Sequence, residues 1–166
     1  MRILGIDCGT QRTGYGLIES DGRRHTFVNA GVIATHVGDD LAIRLAAIAR
    51  ELRRVLDSFR PEVVAVEEVF HSINSKSALK LAHVRGVVLL LAAEADVPVA
   101  EYSPLSIKMS VTGYGRAEKQ QVDLMVRSLL DTQRAAFATF DASDALAVAI
   151  CHANRCTQPR AVGDTA

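Results

Sequence analysis

The chain has 166 residues, 49% of them apolar, enough for one domain around one core. Its 19 acids balance its 19 Lys and Arg residues. Net charge by itself therefore gives no sign of a nucleic-acid partner. The longest strong apolar run, Val87 to Ala93, is far too short to span a bilayer. A carboxylate at Asp7 interrupts the first apolar stretch too early for a signal peptide. Three cysteines, an odd number without paired ligand spacing, do not form a disulfide or zinc framework. The expectation is a cytoplasmic protein.

Residues 2–7 read as a buried strand, 13–19 as a second and 25–33 as a third, with the Asp21-Gly22 turn before the third. Leu41, Leu45, Ile48, Leu52 and Val55 recur at steps of four and three, the period of an amphipathic helix. Asp39 or Asp40 is its predicted cap and Pro61 follows its end. The β-branched run Val63 to Val69 predicts a strand, and a helix follows over about 75–95. Val97 to Tyr102 predicts another strand. Ser103-Pro104 then supplies an N-cap and a proline at the first helical position. Gly113-Tyr114-Gly115 breaks the chain before a helix over about 117–130, and a last helix runs over about 141–155. A meander followed by βα units predicts a mixed five-stranded sheet with helices on both faces. The predicted domain is 1–156, with 157–166 a flexible polar tail.

Charge is unevenly distributed. No acid occurs from Val69 to Ala93, where Lys76, Lys80 and Arg85 stand, or from Tyr102 to Ala117, where Lys108 and Arg116 stand. Only Asp7 is acidic in the first 18 residues, beside Arg2 and Arg12. A neutral chain can carry a basic face in this way, although solvated surfaces show such imbalance by chance.

The acids that interrupt apolar elements carry the chemical signal. Asp7 ends Leu4-Gly5-Ile6-Asp7, and Glu67 stands at the corresponding place in Val63-Val64-Ala65-Val66-Glu67. If these strands lie side by side in parallel, both carboxylates reach one rim of the sheet, where open α/β sheets bind ligands. Glu68 points to the opposite face and is the poorer candidate. Asp141 and Asp144, three residues apart, share one face at the start of the last helix. Taken alone, that pair is more often plain N-terminal capping. Four carboxylates together offer the hard oxygen donors that suit Mg²⁺ or Mn²⁺. Two such ions can activate a water and stabilise the leaving oxygen in phosphodiester cleavage. His152 lies eleven residues beyond Asp141, roughly 16 Å along a helix, and cannot share its ion. It reads as structural or DNA-facing, and Cys151-His152 with Cys156 as ordinary helix packing rather than a soft metal site.

Five segments, in order over about residues 2–152, resemble the RuvC family of Holliday-junction resolvases. They are Gly5-Ile6-Asp7-x-Gly9 with Thr13-Gly14-Tyr15-Gly16, and Ala65-Val66-Glu67-Glu68-Val69-Phe70. Next come Asn74 with Ser77-Ala78-Leu79-Lys80-Leu81 and Arg85-Gly86, and Val111-Thr112-Gly113-x-Gly115-x-Ala117-Glu118-Lys119. The fifth is Asp141-Ala142-Ser143-Asp144-Ala145-Leu146-Ala147. The resemblance implies a ribonuclease H-like fold and a homodimer that resolves four-way DNA junctions by symmetric nicks. It implies Mg²⁺ (or Mn²⁺), two ions per site, held by Asp7, Glu67, Asp141 and Asp144, and the branch-migration proteins RuvA and RuvB as partners. Phe70 matches an aromatic that touches DNA, and Lys108 and Lys119 match basic residues facing it. Lys76, Lys80, Arg85 and Arg116 are added as phosphate contacts from the charge pattern.

The chain departs from the family pattern in three places. Cys8 replaces a usual proline, the segment from Thr132 to Phe140 lacks proline, and the tail is short and weakly basic. Other readings compete. Asp7-Cys8-Gly9-Thr10 also resembles the first phosphate motif of sugar kinases and actin-like ATPases, which need two such domains. A shorter resolvase-like family of ribosomal RNA processing shares the first motif but not the Ala65-Val66-Glu67-Glu68-Val69-Phe70 segment. A non-catalytic DNA-binding module would not place four acids beside a basic surface. Finally, Val84 and Val87 through Leu91 are apolar around the whole circumference of their helix. One side must be covered by the sheet and the other by a second copy or by another helix of the chain.

Overall fold

A computed structural model describes residues 1–68, 75–132 and 136–157. Phe70, His71, the end of the strand expected to reach Val69, part of the segment before Asp141 and the tail beyond Thr157 lie outside these residues. Lys76 is described only as part of a helix.

The elements are β1 (Arg2–Asp7), β2 (Arg12–Ser20), β3 (His25–Ala34), α1 (Leu41–Phe59), β4 (Val63–Glu67), α2 (Ser75–Glu94), β5 (Val99–Tyr102), α3 (Pro104–Thr112), α4 (Lys119–Leu129) and α5 (Phe140–Thr157). They form one sheet of order β3-β2-β1-β4-β5. The opening meander is antiparallel, while β4 joins β1, and β5 joins β4, in parallel. The mixed five-stranded sheet is thus the one expected.

Strand parity sorts two cores. Leu4, Ile6, Val64 and Val66 face α1 and α2, packing with Ile48, Leu52, Val84, Val88 and Leu91. Ile3, Val63 and Ala65 face the other way, toward α3, α4 and α5, with Ile107, Val122, Val126, Leu146 and Ile150. Because side chains alternate along a strand, Asp7 and Glu67 share the face of Ile3 and Ala65 and look toward α5. Helices cover both faces of the sheet, as predicted.

α5 is buried along most of its length, from Ala142 through Ala153, and its approach is unusually close. A Cβ placed on Gly5 would lie 2.0 Å from the Ala145 carbonyl oxygen, and one on Gly16 would lie 2.6 Å from Leu146. Glycines on the strands and alanines on α5 let helix backbone rest on sheet backbone.

Several boundaries differ from those read in the sequence. Asp40 takes the N-cap position of α1, but its carboxylate makes no capping bond; only its carbonyl accepts, from Arg44 N–H. β5 begins two residues later than expected because Val97 N–H is spent on the Ala92 carbonyl at the end of α2. α4 begins at Lys119 rather than near Ala117, where the Gln121 side chain accepts from Glu118 N–H at 2.9 Å. The expected Ser103 cap is present, its Oγ accepting from Ser106 N–H at 3.2 Å, and Gly113 closes α3 at φ 74°.

Candidate active site

β1 and β4 run in parallel with Ile6 opposite Val66. The next residue of each strand brings Asp7 beside Glu67 at the sheet rim. The first turns of α5 cross above them and deliver Asp141 and Asp144. Asp7, Glu67 and Asp144 line a cleft of about 310 Å³ together with Pro104, Ile107, Lys108, Lys119, Val122 and Ala147. Asp141 stands at its edge, near enough to add to the repulsion on Asp7. The four acids predicted from scattered segments are therefore neighbours.

Burial and repulsion raise the Asp7 carboxyl to about 7. Desolvation is the largest cause, followed by the charges of Asp144 and Glu67; Lys119 partly offsets them. The Glu67 carboxyl is also raised, by burial first and then by Asp144, against the opposing charges of Lys119 and Lys108. The two remaining acids are neutralised by bases. Lys119 Nζ donates to Asp144 Oδ2 at 2.8 Å, and this bond is the main reason the ammonium is held above its ordinary value. Arg12 Nε donates to Asp141 Oδ2 at 2.7 Å.

The donor set suits a hard divalent cation, because four carboxylate groups crowd a partly desolvated place where burial, and after it their mutual repulsion, raises the Asp7 carboxyl. Yet among the described residues no three His, Cys, Asp or Glu side chains converge on a single ligation point. Arg12 and Lys119 hold two of the carboxylates in their place.

The loop after Asp7 is pinned from several sides. Thr13 Oγ1 donates to the Gly9 carbonyl and Thr35 Oγ1 to the Thr10 carbonyl, each at 2.7 Å. Arg44, 7% exposed, donates through Nε to the same Thr10 carbonyl at 3.1 Å. Cys8 sits beside Asp7, its thiol pushed up to about 12 by burial and then by the Asp7 charge. It is thus neutral here and no nucleophile.

The basic residues expected to face DNA divide into groups. Lys108 and Lys119 line the cleft, while Arg116 and Lys80 are exposed outside it. Arg85 is paired with Glu101 on β5, so it neutralises a neighbouring acid. His152 is buried. Its Nδ1 meets the Tyr102 hydroxyl at 2.7 Å and its Nε2 meets Cys156 Sγ at 3.2 Å, the contacts of a packing residue.

Sequence reading passed over two features. Arg12 was visible only as one base near Asp7. A partly buried chain from Ser20 through His25 and Asn154 to Ser110, with His25 bonded at 2.9 and 3.0 Å, had no signal, because its members are scattered polar residues on β2, β3, α5 and α3.

Comparison with known proteins agrees with this geometry. The family model described as "Crossover junction endodeoxyribonuclease RuvC" matches residues 3–152. A protein of that name from Syntrophotalea carbinolica is 53% identical over 154 residues, covering 93% of this chain and 94% of the relative. One from Syntrophomonas wolfei subsp. wolfei is 50% identical over 152 residues, covering 92% and 88%. Among solved structures, Thermus thermophilus RuvC in complex with Holliday junction substrate superposes with a TM-score of 0.88 at 35% identity, covering 95% of each chain. The yeast mitochondrial Holliday junction resolvase shares the fold, with a TM-score of 0.64 at 17% identity. With its fold and the matching segments in register over nearly its whole length, the chain belongs to the RuvC family of crossover junction endodeoxyribonucleases.

Proposed function

We propose that this protein resolves Holliday junctions by hydrolysing phosphodiesters symmetrically in opposing DNA strands, in recombination and repair. It is a hydrolase of the nuclease class that depends on divalent metal. The observation that carries the reading is the meeting of Asp7, Glu67 and Asp144 with Lys108 and Lys119 in one cleft at the sheet rim. Acids hold cations there, and bases hold the phosphodiester.

Asp7, Glu67, Asp141 and Asp144 are the proposed ligands of two Mg²⁺ ions, with Mn²⁺ an alternative. When bound, such ions supply an activated water and charge for the leaving oxygen. Lys108, Lys119, Arg116 and Lys80 bind backbone phosphates; Lys76 and Arg85 extend that set on the charge pattern. Phe70 stacks on a base freed at the crossover, on the strength of its match to the family segment. A stacking role predicts slower cleavage and an unchanged melting temperature for Phe70→Ala.

Two equivalent nicks call for two sites, and α2 presents a surface for a second copy. Val84, Val88 and Leu91 are buried against the sheet, whereas Leu79 and Leu90 remain 61% and 57% exposed. Among the described residues no helix of the chain covers that face. A two-fold pairing of α2 with its copy would bury it and face two sites toward one junction. No described helix is long and apolar enough to cross a membrane, and a cytoplasmic site of action beside RuvA- and RuvB-type branch-migration proteins fits the reading.

The test is incubation of a synthetic four-way junction with the protein and Mg²⁺, with both nicks mapped. Paired nicks at symmetric positions are expected, and none without divalent metal. An intact junction, or a junction that is bound equally with and without Mg²⁺ and never cut, overturns the proposal in favour of a binding module.

A further inference from the structure

Arg12 opens β2 on the same side of the strand as Gly14 and Gly16, whose bare faces meet α5. That parity sends its guanidinium to the start of α5 and onto Asp141. The pair is open to solvent, with the Arg12 side chain 50% exposed and Asp141 28%. It is also a single bond. Among the described residues neither Nη group of Arg12 makes a hydrogen bond, and Asp141 Oδ1 accepts none.

This bond occupies one of four acids that stand together without converging on one ligation point among the described residues. A guanidinium and a divalent cation on one carboxylate repel each other, so loading the cation weakens the hold of Asp141 on Arg12. The exposed pair contributes no more than about 1 kcal/mol, so displacing it costs little. Once released, the guanidinium has a better partner near, since its planar fork matches two phosphate oxygens.

Charge pushes the same way. When all four acids are ionised they outnumber Arg12, Lys108 and Lys119 by one, which leaves the cleft net negative and repels phosphate. One divalent ion makes it net positive.

We propose that Arg12 is a metal-released DNA anchor. In the metal-free protein it is the counter-ion of Asp141. Loading a divalent cation onto the acids drives it off Asp141 and onto a backbone phosphate of the junction. Metal binding and DNA grip are thereby coupled, and a metal-free protein does not spend this arginine on DNA it cannot cut. The proposal rests on the reading of the four acids as cation ligands.

Arg12→Gln tests it in three measurements. Mn²⁺ affinity without DNA, read from the electron paramagnetic resonance of free Mn²⁺, should rise by about 3–10-fold, because a competing cation is gone. Junction affinity in EDTA should stay within about twofold of wild type. In Ca²⁺ at matched ionic strength it should fall by about 5–20-fold, with strand integrity checked on a denaturing gel. Arg12→Lys keeps the charge without the fork, so its Mn²⁺ affinity should be that of wild type and its affinity in Ca²⁺ should lie between the two. Unchanged or weaker Mn²⁺ binding by Arg12→Gln, or equal losses in EDTA and Ca²⁺, overturns the proposal. A wild-type protein whose Mn²⁺ binding is absent, or indifferent to Asp7→Asn, instead overturns the reading of the acids themselves.

Discussion

Gly14 lies flat against the Asp141 carbonyl: a Cβ built on Gly14 would come within 2.0 Å of that oxygen. β2 therefore sets the height at which the first turn of α5 crosses the sheet, and with it the position of two acids. Gly14→Ala must lift that turn. Overpacking of this kind costs about 1–3 kcal/mol, so the melting temperature should drop by several degrees. Junction cleavage should fall by more than the lost stability explains, because Asp141 and Asp144 shift relative to Asp7. Paired melting curves and single-turnover rates check this. Full activity at the lower melting temperature would show that the acids tolerate the shift.

Asp7→Asn should abolish cleavage while leaving junction binding largely intact, since it removes an acid and lessens repulsion of phosphate. It should also stabilise the metal-free protein. The Asp7 carboxyl is raised from 3.8 to about 7 on folding, so the folded state binds the extra proton between those values. Ionised Asp7 thus costs stability that is fully felt above about pH 7 and vanishes as pH falls toward 4. The melting temperature of Asp7→Asn in EDTA should exceed that of wild type at pH 8, with the difference closing by pH 4. The opposite sign would mean that a cation of the protein already compensates Asp7.

Lys119 is 65% exposed where it meets Asp144, so its contribution to stability is about 1 kcal/mol at most. Lys119→Met should leave the melting temperature within about two degrees of wild type and reduce cleavage at least about tenfold. If the amine also holds a phosphate, the slope of log affinity against log salt should shrink by about 0.9. An unchanged slope would confine Lys119 to the acids.

Leu90→Asp places a charge on the exposed side of α2, where Leu90 is 57% accessible in the single chain. The isolated fold should tolerate it. Sedimentation at micromolar concentration should show wild type at twice the chain mass and the variant at the chain mass. A wild-type monomer would count against the α2 pairing while leaving the chemistry of the cleft untouched.

Strand alternation and helix periodicity are local properties, which is why the sheet, the helices and the four acids were legible in the sequence. A period of two places Asp7 and Glu67 on the face of Ile3 and Ala65 whatever the rest of the chain does. Element ends were less legible where backbone donors had more than one possible partner, as with Val97, whose N–H closes α2 rather than extending β5.

Which base meets which acid is a different kind of fact. Arg12 and Asp141 are 129 residues apart, Lys119 and Asp144 are 25 apart, and Arg85 finds Glu101 across 16. Nothing in their local sequence selects these partners. The close seating of α5 on glycine-bearing strands selects the first two, by carrying one helix end over the sheet rim; the third joins α2 to β5 on the opposite face of the sheet. The sequence by itself determined which residues could do the chemistry. Only the tertiary structure decided which of their charges are already spent on each other, because that depends on the distance between elements whose spacing no local pattern encodes.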